Sequence, residues 1–71
     1  MTRYMGILDD MQIFTLRAND TQELADKINT GFINDTYNVN NVLEYFVIPD
    51  VCSGDYIQNK MDELYDRHWN K

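Results

Sequence analysis

The sequence predicts an α+β fold in which two helices pack on one face of a small antiparallel sheet. Three observations support this prediction. Two runs rich in strand-forming residues, 3–8 and 11–17, stand close together near the start of the chain. A third such run follows an amphipathic helical segment, and a second helical segment ends the chain. The predicted order is β, β, α, β, α, within a single domain that spans 1–71.

The first two runs predict a β-hairpin with Asp9 and Asp10 in its turn. The predicted register pairs Leu8 with Met11. It gives the sheet one core-facing side, which carries Met5, Ile7, Gln12, Phe14 and Leu16. The opposite side would carry Tyr4, Leu8, Ile13 and Thr15.

The first helix has clear start and stop signals. Asp20 is the predicted N-cap, because Glu23 stands three residues later, where a capping-box side chain can reach back. Leu24 and Ile28 follow at helical spacing. Gly31 marks the predicted end of this helix.

The segment 39–51 fits two structures. Its apolar residues match a helical stripe, yet 43–48 is rich in strand formers. We favour a strand from about Val42 to Ile48 that Pro49 ends. The run Ser53-Gly54-Asp55 then opens a final helix, whose apolar face carries Ile57, Met61, Leu64, Tyr65 and His68.

The charge balance narrows the classes of partner. The 71 residues include 12 acidic and 6 basic side chains, for a net charge of -6, and 44% of the residues are hydrophobic. Such a chain should fold, but its charge repels nucleic acid and favours a positively charged protein. A lone cysteine, Cys52, excludes an internal disulfide. With no signal-peptide run and no membrane-length apolar stretch, we expect a cytoplasmic protein.

The sequence contains few side chains suited to catalysis, and we predict that the protein is not an enzyme. One Cys and one His give no zinc pattern, so we expect no metal and no cofactor. Gly6, Gly31 and Gly54 are isolated, which argues against a phosphate-binding loop. A Cys52 nucleophile with His68 as its base is the alternative. We favour packing roles for both side chains.

The candidate partner-binding residues lie on the last helix. Asp55, Asp62 and Asp66 stand seven and four residues apart, so they share one helix face, here called the acidic stripe. Glu63 lies alongside it, and Tyr56 and Trp69 are the candidate aromatic anchors. Further carboxylates could extend this surface and imitate the spacing of phosphates: Asp9, Asp10, Asp20, Glu23 and Asp26. The alternative is an ordinary solvated helix face.

The runs 4–8, 13–18 and 20–25 together resemble the hairpin-then-helix opening of small bacteriophage-encoded proteins. These include a coliphage inhibitor of host RNA polymerase and several anti-CRISPR proteins. The resemblance extends over residues 4 to 48. It implies a stand-alone product of a phage or mobile element that inhibits a host enzyme by occupying its surface, in the host cytosol. No site residue is implied by it.

These observations lead to a functional hypothesis. We expect a non-catalytic, acidic protein-binding module that blocks a host nucleic-acid-processing or defence protein by contacting its basic groove, as a DNA mimic does. The alternative is a homo-oligomeric structural or regulatory subunit, with an exposed sheet edge or aromatic surface paired with a copy of itself.

Overall fold

The computed structural model describes residues 1–69. It contains three strands, β1 (Thr2–Leu8), β2 (Ile13–Ala18) and β3 (Val42–Ile48), and two α-helices, α1 (Thr21–Asn29) and α2 (Gly54–Trp69). A short 3-10 helix, Val39–Asn41, precedes β3. The predicted α+β class and the order β, β, α, β, α are confirmed, and so is the strand favoured for 42–48.

The three strands form one antiparallel sheet in the order β2-β1-β3. The first strand in sequence is therefore the central one, and the other two are edges. On the β3 side, Ile7 pairs with Glu44 while Leu8 pairs with Val42, so Leu43 is an extra residue at a β-bulge.

Both faces of β1 are buried. Tyr4 and Leu8 belong to a core cluster with Leu24 and Ile28 of α1. Met5 and Ile7 belong to a second cluster around Leu64 of α2. Successive side chains of a strand point to opposite faces, so α1 and α2 cover opposite sides of the sheet. The expectation that both helices share one face is wrong, because β1 is apolar at even and odd positions alike.

The hairpin register differs by one residue from the predicted one. Ile7 pairs with Ile13, and the Leu8 amide donates to the Gln12 carbonyl, which leaves a three-residue loop, 9–11. Met11 closes this loop at φ 69°, the left-handed position that such loops need. The shift moves Phe14 and Leu16 to the side of Tyr4 and Leu8, and away from Met5 and Ile7.

The helix ends follow their predicted signals. The Glu23 amide donates to Oδ1 of Asp20 at 2.8 Å, and Oε2 of Glu23 accepts from the Asn19 amide at 3.2 Å. The helix ends at Asn29, and Gly31 follows at φ 91°. At the start of α2, the amide of Tyr56 donates to Oγ of Ser53 at 3.2 Å. These local bonds satisfy backbone amides that a helix N-terminus leaves without partners.

Gly6 sits where the sheet has no space for a side chain. A Cβ at this position would lie 2.6 Å from the Glu44 carbonyl oxygen and 2.6 Å from the ring of Phe14, its partner across the strands. The carbonyl belongs to the backbone of β3 and cannot swing away. Gly6 therefore permits the close approach of Phe14 and β3 to the centre of the sheet.

Replacing Gly6 with Ala should lower the free energy of unfolding by about 2 kcal/mol, because the added methyl overpacks the core. The matched control is Gly54→Ala, where the new Cβ meets no atom within 4 Å. This control should be neutral or stabilise by up to about 1 kcal/mol. Urea titrations of both variants and the parent protein measure the difference. Equal midpoints for Gly6→Ala and the parent would contradict the packing described here.

Candidate functional site

The outward face of α2 brings four of the six predicted partner-binding residues together. Asp55, Asp62 and Asp66 are exposed, and Trp69 follows them with 66% of its surface accessible. Leu64, on the opposite side of the helix, is fully buried in the core. The ring of Trp69 makes an edge contact with Tyr65, with the ring centroids 6.3 Å apart. The helical period therefore places the acidic stripe and this indole on one solvent-facing surface.

Tyr56 and Glu63 lie to one side of that surface. Tyr56 is half-buried and packs against the core cluster beneath α2. Lys60 stands between the two residues, with Nζ 3.2 Å from Oε2 of Glu63 and 5.6 Å from the centre of the Tyr56 ring. These contacts give both side chains a role within the fold, so they flank the acidic stripe and do not extend it.

The carboxylates outside α2 do not join the acidic stripe into one surface. Asp26 is exposed on α1, which covers the opposite face of the sheet. Asp9 accepts a hydrogen bond from Nδ2 of Asn41 at 2.9 Å, and Asp10 accepts one from the hydroxyl of Tyr37. The hairpin tip is thus tied to the asparagine-rich loop. The acidic residues divide into separate patches on the two sides of the molecule.

Ion pairs neutralise several other carboxylates. Arg17 pairs with Asp50 at 2.9 Å, and Lys27 lies 3.7 Å from Glu23. The first pair joins β2 to the segment after β3, and the second lies on α1. The described structure records no ion pair between a Lys or Arg and Asp55 or Asp62, although Gln58 donates to Asp62 at 3.0 Å. The negative charge of Asp55 and Asp62 therefore faces solvent.

Glu44 joins the C-terminal end of α2 to the sheet. Its carboxylate is 2.6 Å from Nη2 of Arg67 and 2.8 Å from Nε2 of His68. An ionised carboxylate only accepts hydrogen bonds, so both side chains act as donors. Cys52 has a different neighbour, since Nη1 of Arg3 lies 3.8 Å from its Sγ. The alternative catalytic residues Cys52 and His68 thus contact different partners.

A second surface was not anticipated from the sequence. Leu43, Tyr45 and Val47, here called the β3 row, lie on the α1 side of the sheet, and each is substantially exposed. Leu43 and Tyr45 border a groove of about 580 Å³ between β3 and α1, whose wall includes Leu24, Ala25 and Ile28. The helix covers β2 and β1 and leaves β3 open. The only sequence signal was that 42–48 is apolar at nearly every position, whichever face each residue occupies.

Residues 1–69 contain no group of three or more His, Cys, Asp or Glu side chains placed to hold a metal ion. Within the same range, neither helix is long and apolar enough to span a bilayer. Comparison with protein-family models, curated proteins and solved structures gave no match.

The hydrogen bond to Asp10 raises the pKa of the Tyr37 phenol above its ordinary value, and partial desolvation and the charges of Asp10 and Asp9 act in the same direction. The pKa of Tyr37 is higher in the folded state than in the unfolded state, where it is about 10. The bond therefore makes its full contribution to stability at pH values below about 10. The contribution is lost as the pH rises through the folded-state value.

We therefore expect Tyr37 to ionise at higher pH than a free tyrosine, and Asp10→Asn to lower its pKa. NMR titration of the Tyr37 ring measures both values, with Asp62→Asn on α2, at the other face of the sheet, as a control. The stability loss caused by Tyr37→Phe should appear at neutral pH and vanish in strong alkali. A Tyr37 pKa that does not respond to Asp10→Asn would disprove the coupling.

Proposed function

We propose that this protein is a non-catalytic inhibitor, encoded by a phage or mobile element, that blocks a host nucleic-acid-processing or defence protein. The outward face of α2 would cover the basic groove in which the target holds nucleic acid. The observation that carries this proposal is the alignment of Asp55, Asp62 and Asp66 with an exposed Trp69 on one rigid helix. The resemblance of the hairpin and α1 to phage inhibitors supports the biological setting.

The geometry of the acidic stripe suits a target whose basic surface binds the phosphates of nucleic acid. At a rise of about 1.5 Å per residue, its carboxylates start about 10.5 Å and about 6 Å apart along the helix axis. Lys and Arg side chains that line a nucleic-acid groove could reach such a row, because they are long and present several donors. A rigid helix fixes the spacing without an entropic cost of ordering a loop on binding.

Trp69 supplies apolar contact area, which carboxylates cannot provide. Exposed charge pairs contribute little affinity each, whereas buried aromatic side chains are frequent energetic centres of interfaces. Trp69 stands at the end of the acidic stripe and is braced by Tyr65. In this mechanism, the carboxylates orient the protein on the basic groove and speed its association. The indole then anchors it, and the bound domain sterically excludes nucleic acid.

The first experiment identifies the target. Tagged protein captures partners from a bacterial lysate at low salt, and a high-salt wash releases them for mass spectrometry. We expect a nucleic-acid enzyme or defence protein in the eluate, because screening weakens an interface between opposite charges. Recovery of the protein alone would contradict the proposal.

The second experiment tests the acidic stripe against that purified target. Asp62→Lys with Asp66→Lys should weaken binding by at least about tenfold and flatten its salt dependence. The matched control, Asp26→Lys with Asp35→Lys, makes the same change in net charge at exposed positions outside α2. Trp69→Ala should weaken binding without changing the salt dependence. Unchanged affinity of the Asp62/Asp66 variant, with the control also unchanged, would exclude the electrostatic mechanism.

A further inference from the structure

The two edges of the sheet differ in how they are protected. On β2, the Arg17 side chain is exposed, and Nζ of Lys27 donates to the Arg17 carbonyl at 2.5 Å. Charged groups of this kind block the addition of another strand. The edge strand β3 carries the exposed Leu43, Tyr45 and Val47 instead. Its one acidic residue, Glu44, is occupied by Arg67 and His68.

The sequence of β3 is suited to pairing with itself. Side chains opposite each other in an antiparallel pair share a face, so a symmetric pairing must be centred on one residue. Centring on Tyr45 sets Leu43 of one copy opposite Val47 of the other and brings the two Tyr45 rings together. Centring on Glu44 would oppose two carboxylates. Centring on Phe46 would set Leu43 opposite Pro49, so the Tyr45 register alone sets every residue of one β3 row opposite a residue of the other without a like-charge pair at its centre.

Charge complementarity on the α2 side favours the same register. It places Glu44 of one copy opposite Phe46 of the other. Nζ of Lys60 lies 5.8 Å from the centre of the Phe46 ring within each copy. The register therefore brings Glu44 of one copy near Lys60 of the other, while each keeps its ion-pair partner within its own copy. Two ion pairs beside this edge, Glu44 with Arg67 and Lys60 with Glu63, leave it locally balanced despite the net charge of -6.

We propose that β3 binds a second copy of this chain, in an antiparallel pairing centred on Tyr45. The product is a symmetric dimer with a continuous six-stranded sheet in the order β2-β1-β3-β3-β1-β2. The two β3 rows then form one apolar floor between the two α1 helices, next to the groove of each copy. This proposal does not rest on the acidic stripe, which belongs to the other side of the sheet.

Sedimentation velocity tests the dimer over protein concentrations from about 10 µM to about 1 mM, a range suited to a small interface. The mass should rise from 8.4 kDa towards twice that value. Val47→Lys should stay monomeric, because it puts a charge on the β3 row. The matched control, Val51→Lys, makes the same change at a residue that is 89% exposed outside the strand, and should dimerise like the parent. A monomeric parent, or a Val47→Lys variant that dimerises normally, would overturn the proposal.

Disulfide trapping tests the register. In a Cys52→Ser background, Tyr45→Cys places two thiols on opposing residues about 4.5–5.5 Å apart between Cα atoms, within disulfide range. Mild oxidation should give a covalent dimer. Leu43→Cys should not cross-link with itself, because the two positions are separated by about 13 Å along the strands. A mixture of Leu43→Cys and Val47→Cys proteins should cross-link. Equal trapping of Leu43→Cys and Tyr45→Cys would overturn the register.

Discussion

The structure depends on one strand being buried on both of its faces. β1 hydrogen-bonds to β2 and β3 at its two edges, and its alternate side chains fill two separate cores. Tyr4 and Leu8 hold α1, while Met5 and Ile7 hold α2. Each fully buried large apolar side chain contributes about 1.5–3 kcal/mol. The core of a 71-residue chain is necessarily small. Among the described strands and helices, β1 alone contributes buried side chains to both cores, while β2 and β3 each contribute them to one.

This constraint also sets where charge and apolar surface meet solvent. Because α1 and α2 lie on opposite sides of the sheet, their outward faces point in opposite directions. The carboxylates of the two helices therefore cannot form one continuous negatively charged surface. Two helices also cannot cover three strands completely on both sides. On the α1 side, the helix lies over β2 and β1, and the β3 row is left exposed. The candidate surfaces therefore follow from the same geometry, one on a helix and one on an edge strand.

The part of the candidate site on α2 that depends only on helix geometry could be predicted from the sequence. Asp55, Asp62 and Asp66 share a face because 3.6 residues make a turn, whatever the helix packs against. Tyr56 was less predictable, because its burial depends on the position of α2 over β1 and on its contact with Lys60. The β3 row escaped prediction, since a strand that is apolar on both faces gives no sign of which face a helix covers.

The sequence by itself determined the elements, their order and their ends. The ends are set by local hydrogen bonds and steric limits at Asp20, Gly31, Pro49 and Ser53. Such effects reach only a few residues, so they can be predicted without knowledge of the tertiary structure. Tertiary structure decided the hairpin register, the sides taken by the helices and the central place of β1. Those outcomes depend on Met11 accepting a left-handed conformation and on contacts between residues distant in sequence. Because β1 is apolar on both faces, its sequence pattern fits either hairpin register. Only packing against both helices selects one of them.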